Sequence, residues 1–266
     1  MRGSLYMNHT FVVLAYKESK YLETCIQSVM NQTHSSEVMI ATSTPNAFID
    51  EMATKYNLSV VINEEKKGIG YDFDFALHAA EGLVTIAHQD DVYEKTYAQK
   101  MVEAYNKHQN AIILFSDYYE IRDNQKVETN TNLKIKRILL VPLRLQSWAG
   151  SRFIKRSALR LGNAICCPAV TFNTKQITSE KVFASDFQCN IDWNGWENLS
   201  NQKGKFIFIS EKLMGHRIHV ESTTTEIIND NIRTKEDYIM LKRFWPSFIA
   251  RAINKFYKNA EKSNQE

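Results

Sequence analysis

The stretch LVTIAHQDD, residues 83–91, is the part of this sequence on which the fold assignment depends. Its first five residues are apolar or β-branched, which is typical of a buried strand, and Gly82 before it is a helix-stop signal. The stretch then ends on two adjacent carboxylates, Asp90 and Asp91. Such a pair fits either a surface turn that caps a helix or a site for a cation, so the surrounding sequence has to decide between them.

The sequence upstream of this stretch alternates β-prone runs with helical patterns. The predicted strands are 11–16, 37–43 and 58–63, and the predicted helices are 20–32, 46–56 and 71–82. Alternating strands and helices with short connections predict an α/β fold with a parallel sheet covered on both faces. Ligands of such sheets bind at the carboxyl ends of the strands. Asp90 and Asp91 lie at such an end, which favours chemistry over a surface turn.

The sequence downstream is less regular. We predict strands at 111–122, 169–173 and 205–210, a helix at 191–200 and a helical tail over about 234–260. No internal repeat or low-complexity linker separates the two halves. We therefore expect them to share one sheet and one cleft.

Composition limits the class of protein. The chain has 266 residues, is 44% hydrophobic and carries a net charge of only +3, which suits one large globular domain and argues against nucleic-acid binding. The four cysteines show no CxxC spacing, so we expect reduced thiols in a cytoplasmic protein. No apolar run approaches the ~20 residues of a membrane span. The opening residues 1–4 resemble an expression leader.

Basic residues are concentrated in one block and in the tail. Residues 129–179 contain no Asp or Glu but contain nine cations: Lys134, Lys136, Arg137, Arg144, Arg152, Lys155, Arg156, Arg160 and Lys175. The block is either a solvated face or a surface for an anionic partner. The tail carries an apolar stripe bordered by Lys and Arg: Phe244, Phe248, Ile249, Ala252, Ile253, Phe256 and Tyr257. This stripe predicts either packing on the domain or peripheral contact with an anionic membrane.

The order of these segments resembles the family 2 glycosyltransferases, which have a GT-A fold and use nucleotide-diphosphate sugars. The resemblance covers roughly residues 10–225. HQDD at 88–91 matches the family's Asp-X-Asp-Asp, and IDWNGW at 191–196 resembles the helix that bears the catalytic base. GHRIHVEST at 215–223 resembles the family's Tyr-Arg-X-His-X-X-Ser-X-Thr, and ICCPAVTFN at 165–173 resembles the segment that lines the acceptor side.

The resemblance implies a role for each matching residue. Asp91 and His219 would bind a divalent metal, Mn²⁺ or Mg²⁺, and Asp192 would be the catalytic base. The remaining candidates would bind the donor: Tyr16, Glu18, Gly68, Asp74, Asp90 and Arg217. A packed Tyr16 and a surface Glu18 are an equally simple explanation of that pair.

Four departures leave the nucleotide and the sugar open. His88 stands at the first Asp of Asp-X-Asp, Ile191 at the Glu before the base, and Phe73 at the Arg of Ala-Arg-Asn. ATSTPN at 41–46 lacks the Asp that the family places there for the nucleotide base. A sugar-nucleotide-binding protein without activity, a membrane adaptor and a sugar nucleotidyltransferase stay as alternatives, although the last would need a Gly-rich phosphate loop after the first strand.

The expected protein is an inverting, metal-dependent glycosyltransferase. Its GT-A domain would span 8–225, with a nucleotide-sugar-binding half at 8–92 and an acceptor-side half at 93–225, followed by an amphipathic helical tail at 226–266. The expected donor is a UDP-sugar. The expected acceptor is a glycan or lipid-linked glycan in surface polysaccharide synthesis, with the enzyme in the cytoplasm or peripheral on the inner face of the membrane.

Overall fold

The structure is a computed structural model that describes residues 8–65, 67–219 and 230–263. The leader at 1–4 and the last part of the GHRIHVEST motif, 220–223, lie outside the described residues. Within them the strands are β1 His9–Ala15, β2 Glu37–Thr42, β3 Ser59–Ile62, β4 Leu83–His88, β5 Val92–Tyr93, β6 Ala111–Arg122, β7 Gln125–Val127, β8 Val170–Asn173 and β9 Lys205–Ile218. The α-helices are α1 Leu22–Met30, α2 Ala47–Tyr56, α3 Ile69–His78, α4 Tyr97–Lys107, α5 Thr131–Leu139, α6 Arg152–Ser157, α7 Ile191–Ser200, α8 Asp230–Lys242 and α9 Ser247–Ser263.

The strands form one mixed sheet in the order β3-β2-β1-β4-β8-β6-β9-β5, with β7 paired to β6. The first four strands are parallel, as the alternating pattern predicts. β8 then runs antiparallel to both β4 and β6 and joins the two halves of the sheet. The predicted α/β fold with one shared sheet is therefore confirmed, although parallel pairing is strict only in the first half.

The core explains why the two halves form one body. Every side chain of β4 from Leu83 to Ala87 is fully buried. In the second half of the chain, Trp196 stacks on Phe172 of β8 at 5.9 Å, and the Trp193 indole N–H donates to the carbonyl of Leu159. Both tryptophans of the IDWNGW segment are thus core residues.

One predicted strand was too short, and the predicted helical tail is present as two helices. β9 continues to Ile218, because β6 is twelve residues long and pairs with it along that length, so Arg217 lies inside the strand rather than after it. The tail forms two helices, because the chain turns at Phe244–Pro246 and proline cannot donate a helical hydrogen bond. None of the helices in the described ranges is both long and apolar enough to cross a bilayer.

Candidate active site

The paired carboxylates lie where β4 ends and are covered by the last residues of β9. The backbone N–H of Asp91 donates to the carbonyl of His88, which forms the turn that follows the strand. β5 comes next and pairs with β9 at Val92 and Gly215. This pairing places His216 and Arg217 beside the two acids, which are more than 120 residues away in sequence.

Asp91 is an almost fully buried carboxylate with defined partners. Its Oδ1 accepts a hydrogen bond from the backbone N–H of Arg217 at 2.8 Å and lies 3.1 Å from Nδ1 of His216. Burial opposes ionisation of Asp91, but the charge and hydrogen bond of His216, with the Arg217 N–H, outweigh it and lower its pKa. The same contact with Asp91 raises the pKa of His216 against the effect of its own burial.

Asp90 faces a different set of groups. Its Oδ1 accepts from the Ser19 hydroxyl at 2.7 Å, and its Oδ2 lies 3.3 Å from Nε2 of His219. The Arg217 guanidinium donates to the Asp90 carbonyl at 2.9 Å and lies over the ring of Tyr21 at 4.3 Å. Arg217 therefore contacts both acids, through its backbone to Asp91 and through its side chain to Asp90. His219 contacts Asp90, and His216 contacts Asp91.

The residues present fit a divalent cation that a diphosphate helps to bind. No three His, Cys, Asp or Glu side chains gather into a complete metal site in the part of the chain that the structure describes. Oδ2 of Asp91 has only a 3.4 Å contact with His216, so it keeps lone pairs for a cation. Carboxylate and phosphate oxygens suit Mg²⁺ and Mn²⁺, and imidazole also suits Mn²⁺.

The ends of β1, β2 and β3 form the neighbouring part of the site. The backbone of Tyr16 pairs with the Gln89 side chain through two 3.0 Å hydrogen bonds, while the Tyr16 ring is 45% exposed and Glu18 is exposed. Asp72 of α3 accepts hydrogen bonds from Ser43 and Asn63. It thus brings a carboxylate to the ends of β2 and β3, where the ATSTPN segment has none.

Two of the donor candidates have local structural roles. Gly68 precedes α3 with φ +110°, a conformation that favours glycine. Asp74 accepts backbone hydrogen bonds from Val182, Phe183 and Ala184, at 2.8 to 3.2 Å, and is 7% exposed. Asp74 therefore holds the 182–184 loop against α3.

His88 and Phe73, which stand where the family has Asp and Arg, contact each other. Their ring centroids are 5.1 Å apart. The His88 Nε2 is buried without a hydrogen-bond partner, and burial lowers the pKa of the imidazole. An aromatic pair with a neutral imidazole therefore occupies two positions that are charged in the family.

Asp192 lies in the first turn of α7. Its Oδ1 accepts from the Trp193 backbone N–H at 2.8 Å, and its Oδ2 accepts from the Asn163 amide at 2.6 Å. Burial raises the pKa of Asp192. A raised pKa makes a carboxylate a better proton acceptor near neutral pH.

The CCP segment lies just before β8, and the Pro168 carbonyl accepts a hydrogen bond from the Tyr93 hydroxyl of β5. Burial raises the pKa of the Cys166 thiol, and the charges of both Asp91 and Asp192 raise it further. Both charges also act on Cys167. The charges of Asp91 and Asp192 therefore both influence this segment, although 101 positions separate the two acids in sequence.

Two other carboxylates close to Asp192 in sequence, Glu197 and Asp186, have different surroundings. Glu197 is paired with Arg156 and lies 3.3 Å from Nη1 of Arg243. Asp186 is exposed. Glu197 is therefore already paired with two arginines, whereas the hydrogen bonds that Asp192 accepts come from uncharged donors.

Sequence reasoning missed four residues of the site. His216 contacts Asp91, and Asp72 accepts from Ser43. Asn163 donates to Asp192, and the ring of Tyr21 lies under the Arg217 guanidinium. A signal existed for two of them, because His216 directly precedes Arg217 and Asp72 lies two residues before Asp74. Asn163 and Tyr21 become recognisable only through their contacts.

Comparison with known proteins gives the class of protein that this fold and site represent. The sequence profile described as Glycosyl transferase family 2 matches residues 10–179, well over half of the chain. The chain therefore belongs to glycosyltransferase family 2. No curated protein sequence matches it closely enough to be significant.

Solved structures support the GT-A fold. The chain is similar to TarS 1–349 of S. aureus in complex with UDP-GlcNAc, with a TM-score of 0.62 and 15% identity over 93% of this chain and 70% of that one. It is also similar to the mannosyltransferase PcManGT of Pyrobaculum calidifontis in complex with GDP-Man and Mn²⁺. There the TM-score is 0.65, with 13% identity over 95% of this chain and 71% of that one.

Proposed function

We propose that this family 2 glycosyltransferase transfers one sugar from a nucleotide-diphosphate donor to an acceptor hydroxyl, with a divalent metal and with inversion of the anomeric centre. The observation that carries the proposal is the contrast between two carboxylates: Asp91 lies against His216 and the Arg217 N–H, whereas Asp192 accepts from the uncharged Asn163 amide and the Trp193 N–H. Asp91 is ionised and lies beside Arg217 and His216, whereas Asp192 is half-buried and desolvation raises its pKa. Donor phosphate binding and proton transfer need these two different environments.

The donor diphosphate would bind at the Asp91 end. Asp91 and His219 would hold Mn²⁺ or Mg²⁺, which would stabilise the negative charge that develops on the leaving diphosphate. The guanidinium of Arg217 is positioned by Tyr21 and the Asp90 carbonyl to donate to phosphate oxygens. His216 would orient Asp91.

The nucleoside would lie at the ends of β1 to β3. Tyr16 offers an exposed ring, and Asp72 offers carboxylate oxygens that can also accept from a base or a ribose hydroxyl. Glu18 and Asp90 would add acceptors on the ribose side, and Gly68 would let the backbone pass close to the donor. A UDP-sugar is the first donor to test, since the S. aureus neighbour is a complex with UDP-GlcNAc.

The acceptor would enter from the Asp192 side. Asp192 would take the proton from the acceptor hydroxyl as the oxygen attacks the anomeric carbon, and Asn163 would orient the carboxylate. A single displacement of this kind inverts the anomeric configuration. We propose a glycan or lipid-linked glycan as acceptor, in surface polysaccharide synthesis.

A thermal-shift screen of UDP- and GDP-sugars, with and without Mn²⁺, tests the proposed function. A ligand that binds only the folded protein raises its stability by about 2.7 kcal/mol at a hundredfold excess over the dissociation constant. We expect stabilisation by one nucleotide sugar that depends on the metal, followed by transfer detected by product NMR. Stabilisation without turnover on any acceptor would instead support a binding protein without activity.

Replacing His88 by Ala should leave metal-dependent donor binding within about tenfold, roughly 1.4 kcal/mol. The reason is that the neutral His88 ring packs on Phe73, while Asp91 and the diphosphate can supply the oxygen ligands. Calorimetric titration with the nucleoside diphosphate measures the effect. Complete loss of binding in a variant with an unchanged circular dichroism spectrum would make His88 a ligand of the site.

Substitution by Asn should weaken nucleotide binding at Asp72 but lower protein stability at the neighbouring Asp74. Asp72→Asn should weaken nucleotide binding about tenfold with a small change in stability. Asp74→Asn should lower the free energy of unfolding by about 2–3 kcal/mol, because buried backbone N–H groups lose their charged acceptor, while donor affinity stays unchanged. Urea unfolding and calorimetry separate the two effects. Normal stability with weakened binding in Asp74→Asn would restore Asp74 as a donor ligand.

A further inference from the structure

Large apolar side chains are exposed along one continuous segment, 131–153. Six of them are between 49% and 72% exposed, and we call them the 131–153 surface: Ile135, Ile138, Val141, Leu145, Trp148 and Phe153. They make up half of the twelve exposed large hydrophobic residues among the residues that the structure describes. Singly scattered apolar side chains are normal on a protein surface, but such a concentration indicates an interaction site.

The fold itself does not use these six side chains. The same segment is anchored by other apolar residues, Leu133, Leu143 and Ala149, which are at most 1% exposed. α5 thus buries one face and leaves Ile135 and Ile138 on the other. The six residues lie outside the core that stabilises the domain.

Three of the five exposed cations of the acid-free block lie in this segment. Lys134, Arg144 and Arg152 are exposed beside the apolar residues. Other cations of the block are used internally, since Arg137 binds Asp117 at 2.7 Å and Lys155 is 1% exposed with its ammonium on backbone carbonyls. The segment 131–153 therefore combines exposed cations with exposed apolar side chains, and the sequence has no acid between 129 and 179.

The tail is a weaker candidate for the same contact. Ala250 of α9 is fully buried, Ile253 packs against the core, and Asn254 donates to the Thr234 carbonyl of α8. Phe248 is the one exposed large apolar side chain in the part of α9 whose side chains the structure describes. Within the stripe, Phe244 and Ile253 pack against the core, Ile249 is half-buried, and Phe248 and Ala252 are exposed, while the side chains at 256 and 257 lie outside the described residues.

We infer that the 131–153 surface binds an anionic lipid bilayer. Trp148, Leu145 and the neighbouring apolar residues would enter the headgroup boundary, and the exposed Lys and Arg would meet the anionic headgroups. A second copy of this chain is a poorer occupant, because a self-complementary contact would bring the same cations together without acids to neutralise them. Apolar and basic groups on one surface are the combination that an anionic bilayer complements.

The position of α5 connects this contact with the acceptor, and this step rests on the proposed function. Lys136, on the inner side of α5, donates to the Tyr118 hydroxyl and its charge acts on Asp192. Ile135 and Ile138, on the outer side of the same helix, belong to the 131–153 surface. Binding to a bilayer would place the Asp192 side of the cleft near lipid, which suits a lipid-linked acceptor.

Co-sedimentation of the full chain with vesicles tests the inference. We expect binding to phosphatidylcholine vesicles that contain phosphatidylglycerol, weaker binding to pure phosphatidylcholine, and loss of binding at high salt as charges are screened. Leu145→Ser combined with Trp148→Ser should reduce partitioning at least tenfold. Lys134→Gln, Arg144→Gln and Arg152→Gln should each reduce it about fivefold, the equivalent of about 1 kcal/mol per cation.

Matched variants control the experiment. Met30→Ser with Ile62→Ser removes two apolar side chains that are each 48% exposed but lie elsewhere, and should leave binding unchanged. Phe248→Ser tests the tail separately and should have a smaller effect than the Leu145 and Trp148 pair. The fluorescence of Trp148 should shift to the blue on anionic vesicles, and Trp148→Phe should remove that shift.

Three results would overturn the inference: no binding of the wild type to anionic vesicles at low salt, equal binding by the Leu145 and Trp148 variant, or an effect of that variant on self-association alone. The last result would assign the surface to contact between copies of the chain. Vesicle binding needs neither donor nor metal, so its failure is distinguishable from failure of the glycosyltransferase assignment. Circular dichroism confirms that each variant is folded.

Discussion

Replacing Asp192 by Asn should lower turnover about 10²–10⁴-fold and leave donor affinity nearly unchanged. Asn keeps the shape of the side chain and can still accept from the Trp193 N–H, but it cannot take the acceptor proton. The site should tolerate the change, because the Asn163 Oδ1 is buried without a partner and an amide flip would pair it with the new NH₂ group. Steady-state kinetics with a matched donor and acceptor measure the effect.

Two neighbouring acids are the controls for this prediction. Asp186→Asn should be nearly silent, and Glu197→Gln should act on stability through the lost pairing with Arg156 and Arg243. If either variant abolishes transfer while Asp192→Asn stays active, the base is misassigned. Retention of the donor's anomeric configuration in the product, seen by NMR, would exclude a single displacement.

The pH dependence of turnover follows from the same residue. A base must be deprotonated to act, so turnover should fall as the pH decreases through the pKa of Asp192. Burial raises that pKa above the ordinary carboxyl value of 3.8, so the acidic limb of the kcat profile should lie above it. This limb should be absent from the residual activity of Asp192→Asn.

Replacing Asp91 by Ala should abolish metal-dependent binding of a nucleoside diphosphate. The lowered pKa keeps Asp91 ionised at neutral pH, and its Oδ2 is available to a cation. Calorimetric titration of UDP and GDP, with and without Mn²⁺, should show that the metal no longer improves affinity. His219→Ala should weaken the metal effect less, because Asp91 remains.

Asp91→Ala could lose binding either because the metal ligand is gone or because the local structure changes, and a second variant distinguishes the two causes. Asp91→Ala also removes the acceptor of the Arg217 backbone N–H and the partner of His216. Asp91→Asn keeps an acceptor for that N–H but lowers the charge at the site, so it should also lose most of the metal effect. Unchanged metal dependence in a folded Asp91→Asn variant would show that the cation binds elsewhere.

The sequence by itself determined those features whose signals lie within one element. The alternation of apolar runs and helical patterns specified the first four strands and their helices, and the change from LVTIA to QDD marked the end of β4. The strand at 111–122 and the helix at 191–200 match the predicted ranges. These features follow from burial patterns of period 2 and 3.6, which any local window of sequence contains.

Only the tertiary structure decided which distant residues meet. Arg217 and His216 reach Asp91, and Asp74 accepts hydrogen bonds from the backbone of the 182–184 loop. Asp72 reaches Ser43 and Asn63, although it lies two residues from Asp74 on the same helix.

The tertiary structure also decided which cations of the basic block are exposed. Arg137 and Lys155 turn inward to an acid and to backbone carbonyls, while Lys134 and Arg144 stay at the surface. Residue type and local periodicity are the same whether a charge faces solvent or a partner on another strand. The partner is set by strand order and register, and these depend on contacts between residues that are 100 or more positions apart, such as Asp74 with Phe183 and Asp91 with Arg217.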